Sequence, residues 1–217
     1  MDFEKARYFM VEQQVRPWDV LDPRVLEVLS EVPREKFTPE QYQELAYADT
    51  RIPLVDGGEM LNPNIEGRIL QHLNLSDDDV ALEIGTGSGY LTACLAKLAR
   101  HVDSVDISEQ RCEQAEQRLQ ELGIHNVSIT AGDASEGWNQ KRFYDAIVIC
   151  GSLPQIPEAY KKLLSQNGRL FVVVGEPPVM TALRVTRTGK NAWQVEELFD
   201  TCIDRLNGKA DAETFQF

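Results

Sequence analysis

Val80-Ala81-Leu82-Glu83-Ile84-Gly85-Thr86-Gly87-Ser88-Gly89-Tyr90 joins an apolar run of strand length to a glycine-rich turn and then to the start of an amphipathic helical segment. Glycines between a strand and a helix let the backbone come close to a bound nucleotide without a Cβ collision. A dinucleotide fingerprint reads G-x-G-x-x-G, whereas here the third glycine comes one residue early and Tyr90 stands in its place. The spacing favours a nucleoside cofactor lacking phosphates over a nicotinamide dinucleotide. The plain alternative is a strand-to-helix turn with no ligand.

Around this turn, further apolar runs at residues 102–106, 127–130, 146–150 and 170–174 alternate with helical segments at 90–99, 108–122 and 157–164. Such alternation marks parallel strands joined by crossover helices, an α/β, doubly wound, mostly parallel sheet of Rossmann-like type. Residues 183–188 and 193–199 read as two closing strands without a helix between them, joined by a tight turn at Gly189-Lys190-Asn191. Upstream, residues 3–15 form one helical segment that stops before Pro17. Asp22-Pro23 opens a second helix with Leu26, Val28 and Leu29 on its apolar face, ending at Pro33. Residues 50–55 read as extended and Asp56-Gly57-Gly58 as a turn. Asn62-Pro63 repeats the cap-and-proline signal before a helix bearing Ile65, Ile69, Leu70 and Leu73. The expected organisation is one domain over 1–217, with a helical N-terminal extension and substrate loop at 1–75, the core at 76–206 and a tail at 207–217. That tail is polar except for Phe215 and Phe217 and reads as frayed.

With 42% apolar and 26% charged residues among 217, the chain has no apolar run near the roughly 20 residues that cross a bilayer. Its first residues carry mixed charge with no following apolar stretch, so no secretory signal is read and a cytoplasmic location is expected. A formal charge of −13 without clustered Lys and Arg argues against a nucleic-acid partner. Oligomeric state stays open. No C-x-x-C pair occurs among Cys94, Cys112, Cys150 and Cys202, and Cys94 and Cys150 read as small core side chains. His72, His101 and His125 are too scattered to share a metal, so none is expected.

Three carboxylates fall at the carboxyl ends of successive strands, where open α/β sheets bind ligands. Asp106, followed by Ile107, is placed to accept hydrogen bonds from ribose hydroxyls. Asp133, between Gly132 and Ala134, is placed to accept from the exocyclic amine of adenine. Glu83 lies where an acidic residue complements the ammonium group of a methionine portion. Together with Gly85, Thr86, Gly87, Ser88 and Gly89 these residues make a candidate S-adenosylmethionine site.

The chain also carries Met10-Val11, Val32-Pro33-Arg34-Glu35-Lys36-Phe37, Ala46-Tyr47-Ala48-Asp49 and Ile52-Pro53-Leu54, then the glycine turn, Leu122-Gly123, Asn126-Val127, Gly132-Asp133, Gly168-Arg169-Leu170 and Val174-Gly175. Through these features, over about residues 5–175, it resembles the protein-L-isoaspartate O-methyltransferases. The resemblance implies methyl transfer from S-adenosylmethionine, with S-adenosylhomocysteine as product, to the carboxylate of an isomerised aspartyl residue in a protein or peptide.

One stretch departs from that family. Its members carry Gly-Gln-Thr-Ile-Ser-x-Pro before the helix entering the sheet, and the resemblance implies that the Thr and Ser hydroxyls position substrate carboxylate and cofactor. This chain reads Gly57-Gly58-Glu59-Met60-Leu61-Asn62-Pro63, so Glu59 and Leu61 occupy the two candidate catalytic positions. A Glu59 carboxylate about 4 Å from an incoming carboxylate in a partly shielded site costs roughly 4 kcal/mol. Glu59 could otherwise bind a cationic group, act as a general base, or point to solvent or loop backbone. The acceptor is accordingly a carboxylate, another oxygen or a small molecule. The alternative is a protein that binds the cofactor without isoaspartyl methylation. Asn62 reads as a helix cap, with a side chain facing the cofactor as the second reading. Ser152, in the loop expected after the fourth strand, reads as a turn hydroxyl or a substrate contact.

Overall fold

The computed structural model describes residues 1–138 and 142–206. Helix α1 (Phe3–Met10) is capped by Asp2, whose side chain accepts from the Lys5 amide. The chain then continues to Val15 as a wider π-type turn and to Trp18 as a 3-10 turn, so helical backbone passes through Pro17, not ending before it. Helix α2 (Pro23–Glu31) begins at Asp22, whose carboxylate accepts from the Arg24 amide at 2.8 Å.

Strands β1 (Ile52–Pro53) and β2 (Glu59–Met60) form a small antiparallel hairpin. The extended segment expected at 50–55 is shorter because the Leu54 amide donates to the Gly58 carbonyl at 3.0 Å and closes the turn. Helix α3 (Pro63–Leu73) starts where Asn62 and Pro63 place it, but Asn62 makes no side-chain cap. Its amide group instead donates to Asp49 Oδ1 at 2.8 Å, which corrects the capping expectation; Pro63 has no N–H to be capped.

From there strands and helices alternate: β3 (Val80–Ile84), α4 (Tyr90–Leu98), β4 (His101–Asp106), α5 (Glu109–Glu121), β5 (Val127–Ala131), β6 (Tyr144–Leu153), α6 (Glu158–Leu163), β7 (Leu164–Glu176), β8 (Val179–Gly189) and β9 (Ala192–Thr201). The sheet order is β5-β4-β3-β6-β7-β8-β9, parallel from β5 to β7 and antiparallel through β8 and β9. All of β3 is buried, which is why its sequence is a continuous apolar run interrupted only by Glu83. One core face packs Leu29, Ile69, Leu70, Cys94, Leu95 and Phe171. The opposite face packs Leu82, Tyr144, Ile147, Tyr160, Leu170 and Val172. Each Leu, Ile, Val or Phe side chain among them contributes about 1.5–3 kcal/mol on burial.

Between β3 and β6 the strand order reverses direction, and a ligand crevice opens at the carboxyl ends of strands at such a point. The turn into α4 allows close packing there. Gly89 has φ of 87°, and a Cβ on it would lie 2.9 Å from that of Ala115 on α5.

The fourth parallel strand runs past its expected end and takes up Gly151-Ser152-Leu153, which corrects the loop reading. Ser152 is buried. Its amide donates to the Asp204 carbonyl at 2.8 Å, its hydroxyl donates to the Ile203 carbonyl at 3.1 Å, and its carbonyl accepts from the Leu206 amide at 3.0 Å. Ser152 therefore anchors residues 203–206 beside the sheet and is not a turn hydroxyl. Among the described residues no helix is long and apolar enough to cross a membrane. Residues 207–217, with Phe215 and Phe217, lie outside the described residues.

Candidate functional site

A cleft with about 890 Å³ of empty space, partly open to solvent, lies over the carboxyl ends of β3, β4 and β6. The sequence pattern puts it there because β3 must end in glycines to turn sharply into α4. Gly85 has φ of 96° and Gly87 has φ of 55°, and a Cβ on Gly85 would come 3.2 Å from the Cβ of Cys150. The turn leaves backbone bare against the cleft.

Of the residues singled out in the sequence, the cleft wall brings together Glu59, Leu61, Glu83, Gly85, Thr86, Gly87, Ser88, Asp106, Ile107, Gly132 and Ala134. Gly89 and Asp133 stand outside that wall. Gly89 serves the packing of α4 on α5, and Asp133 is exposed at the rim, where its Oδ1 accepts from the Ser135 amide at 2.9 Å. Cys150, expected in the core, is half-buried on the wall, with its thiol 3.9 Å from Glu83 Oε1. Burial pushes that thiol well above its ordinary range.

Asp106 is the most heavily engaged of these side chains. Its Oδ2 accepts from the Gly87 amide at 2.8 Å, while Oδ1 accepts from the Ser108 amide at 3.0 Å and from Arg111 Nε and Nη2 at 3.0 and 2.7 Å. Three donors saturate Oδ1, so only Oδ2 keeps an acceptor lobe for a ligand hydroxyl. Arg111, which sequence reasoning missed, also donates through Nη1 to Asp56 Oδ1 at 2.9 Å and to the Gly57 carbonyl at 2.7 Å, tying the hairpin turn to the end of β4. Burial alone would lower its pKa, but Asp106 and Asp56 outweigh it and the net shift is upward. No spacing rule marks Arg111 in a sequence, since Asp106 is close by but Asp56 and Gly57 come from a distant segment.

Glu83 is completely buried. Its Oε2 accepts from Thr92 Oγ1 at 2.5 Å and from Ser104 Oγ at 2.6 Å. Burial pushes its pKa up to about 7 against those two hydroxyls, and the charge of Asp106 adds to the rise. A second buried carboxylate, Glu66 on α3, also lines the cleft and went unnoticed in the sequence. It pairs with Arg34, which is fully buried, and burial pushes its pKa up to about 7 despite that partner.

At the mouth, Glu59 does not stand alone. Arg51 Nη1 donates to Glu59 Oε1 at 2.7 Å, so the uncompensated like charge expected from the sequence is corrected to an ion pair. Glu59 points neither to solvent nor to loop backbone. Leu61 is buried, and its carbonyl accepts from Arg34 Nη2 at 2.6 Å. Among the described residues no group of three or more His, Cys, Asp or Glu side chains could hold a metal. The arrangement offers a bare backbone turn, one carboxylate lobe at a β-strand end, an acidic floor and a paired charge at the entrance.

The profile of the family Protein-L-isoaspartate(D-aspartate) O-methyltransferase (PCMT) matches residues 7–202. A protein-L-isoaspartate O-methyltransferase of Protochlamydia amoebophila is 37% identical over 206 residues, 94% of this chain and 98% of that protein. Protein-L-isoaspartate O-methyltransferase 2 of Pelobacter propionicus is 39% identical over 197 residues, 90% of this chain and 87% of that one. Among solved structures, a Plasmodium falciparum chain in complex with S-adenosyl-L-homocysteine superposes with a TM-score of 0.80 at 21% identity, covering 95% of this chain and 99% of that chain.

Proposed function

The chain belongs to the protein-L-isoaspartate(D-aspartate) O-methyltransferase family, and from that membership we propose that it moves the methyl group of S-adenosylmethionine onto the free carboxylate of an isoaspartyl residue in a protein or peptide. The observation that carries the reading is the cleft itself, where a glycine turn, the open lobe of Asp106 Oδ2 and the carboxylate of Glu83 face one space. These groups fit an uncharged adenosyl end and a cationic methionine end. A phosphate-bearing nucleotide would meet carboxylates where it needs donors.

S-adenosylmethionine supplies, when bound, an electrophilic methyl group on a positively charged sulfur. Gly85 and Gly87 let the backbone approach the nucleoside, and Asp106 Oδ2 accepts from a ribose hydroxyl. Gly132, Ala134 and Ser135 border the base, with Asp133 at the rim taking its exocyclic amine. Glu83 holds the ammonium end. An acceptor carboxylate is already ionised at neutral pH, so the chain need not remove a proton from it and contributes chiefly by orientation. Arg51 offsets the charge of Glu59 on the approach, which removes most of the repulsion an anionic acceptor would otherwise meet. We place the enzyme in the cytoplasm, a setting that suits its four unpaired thiols.

Incubation with tritiated S-adenosylmethionine and paired peptides, one isoaspartyl and one aspartyl, tests the reading. Base-labile label on the isoaspartyl peptide alone is the expected result. Saturable cofactor binding with no label on either peptide would replace it by another acceptor or by a non-catalytic binding protein.

A further inference from the structure

Glu66 interrupts the apolar face that Ile65, Ile69 and Leu70 give to α3, and the residue is only 3% exposed, on the floor of the cleft beside Glu83. The charged and titratable groups that act on it or feel it are Arg34 before α3, Glu83 on β3, Tyr90 and Cys94 on α4, and Cys150 on β6. Arg34 is the one cation of this set. Its Nη1 is engaged by Glu66 Oε2 and its Nη2 by the Leu61 carbonyl, while its buried Nε has no hydrogen-bond partner among the described residues. Glu83 has only the hydroxyls of Thr92 and Ser104 and the thiol of Cys150. The floor thus carries two carboxylates against one guanidinium, and Arg34 does not reach the cleft wall. Buried carboxylates in excess of cations stay protonated or wait for a cation from outside.

We propose that Glu66 is a second carboxylate for the α-ammonium group of the cofactor, shared with Glu83, and that binding of the amino-acid portion expels a proton from this pair to solvent. The inference rests on the cleft being the S-adenosylmethionine site. Burial pushes both carboxyls up to about 7, so without cofactor the floor keeps a share of protons at about pH 7. An arriving ammonium ion already has its three hydrogens and favours the ionised carboxylates. The displaced carboxyl proton passes to buffer, and the ammonium keeps its own.

Calorimetry on the whole protein at about pH 7, in two buffers of different ionisation heat, tests this with three ligands. S-adenosylmethionine reports on the site itself. S-adenosylhomocysteine and 5′-methylthioadenosine are both neutral at sulfur, and only the first has an amino-acid portion. Proton release is expected with S-adenosylhomocysteine and not with methylthioadenosine. Glu66→Gln should reduce that release and weaken S-adenosylhomocysteine about tenfold, the loss of one buried charge-assisted contact, with methylthioadenosine affinity unchanged. Equal release with both ligands in the wild-type protein overturns the proposal, and that comparison stands even if the variant does not fold. Equal weakening of both ligands by Glu66→Gln assigns Glu66 to structure and also overturns it. Should wild-type protein bind no S-adenosylmethionine at all, the function proposed above fails instead.

Discussion

Arg51 Nη1 sits 2.7 Å from Glu59 Oε1 and 3.3 Å from Asp204 Oδ1, so one guanidinium joins the β1–β2 hairpin to the segment beside Ser152 across the mouth of the cleft. The hydrogen bond that Arg51 donates to Glu59 is the main cause of its raised pKa. Two carboxylates on one cation leave the entrance slightly negative, and removing the cation would leave it strongly so.

Arg51→Ala is expected to raise KM for an isoaspartyl peptide about tenfold while moving folding stability by less than about 1 kcal/mol, because the Arg51 side chain is 41% exposed and such pairs contribute little to folding. Added salt should narrow the difference in KM by screening Glu59. Steady-state methyl transfer at low and high ionic strength checks both points. An unchanged KM would mean that the acceptor does not pass Glu59.

Asp106→Ala should weaken S-adenosylmethionine by about tenfold or more, since it removes a ligand acceptor and frees both the Gly87 amide and Arg111. Arg111→Met keeps the carboxylate and loosens only its support, so a smaller loss is expected. Titration calorimetry on the two variants ranks them. Equal affinity of Asp106→Ala and wild type would remove Asp106 from the site.

Glu66 and Glu83 titrate higher in the folded chain than their ordinary value of 4.5, so the folded state holds more protons than the unfolded one between there and about 7. Their contribution to stability is complete below the lower value and is lost as pH rises through the upper one. Without cofactor, Tm should therefore fall more steeply from about pH 5 to about pH 7.5 in wild type than in the Glu66→Gln, Glu83→Gln double variant. Asp56 and Asp79, both lowered from 3.8, act in the opposite sense but below this window. Parallel Tm curves for the two proteins would contradict the assignment.

Gly151 has no room for a side chain, because a Cβ there would lie 2.6 Å from Leu206 Cα. Gly151→Ala should displace residues 203–206 while leaving β3 to β7 paired, weakening the cofactor with little change in far-UV circular dichroism. Increased proteolysis after residue 202 with an intact core would support this. Unchanged cofactor affinity would show that Leu206 is dispensable to the wall.

The parallel strands were legible because the central residues of β3, β6 and β7 bury both faces and so appear as apolar runs, broken in β3 only by Glu83. The glycine turn was legible because position between strand and helix carries its meaning. What escaped depends on side chains meeting across long separations. The added length of β6 is imposed by a segment some 50 residues later, through Ser152 and Ile203. Asn62 has the right residue type for a cap, yet Asp49 competes for its side chain. Glu66 sits on the buried face of α3, where periodicity treats a single polar residue as noise. The Arg51–Glu59 pair depends on the hairpin closing through Leu54 and Gly58, which a residue-by-residue comparison with the family does not reveal.

Leu206 closes against Gly85 and Gly151, and Arg51 reaches Asp204 over a separation of 153 residues. The wall of the binding chamber is hence completed by contacts between residues far apart in the sequence, the kind that form late because loop closure must precede them. During synthesis on a ribosome, a nascent chain halted before residue 203 would carry the glycine turn but no finished chamber. Uptake of the nucleoside would then report completion of folding, not merely its onset.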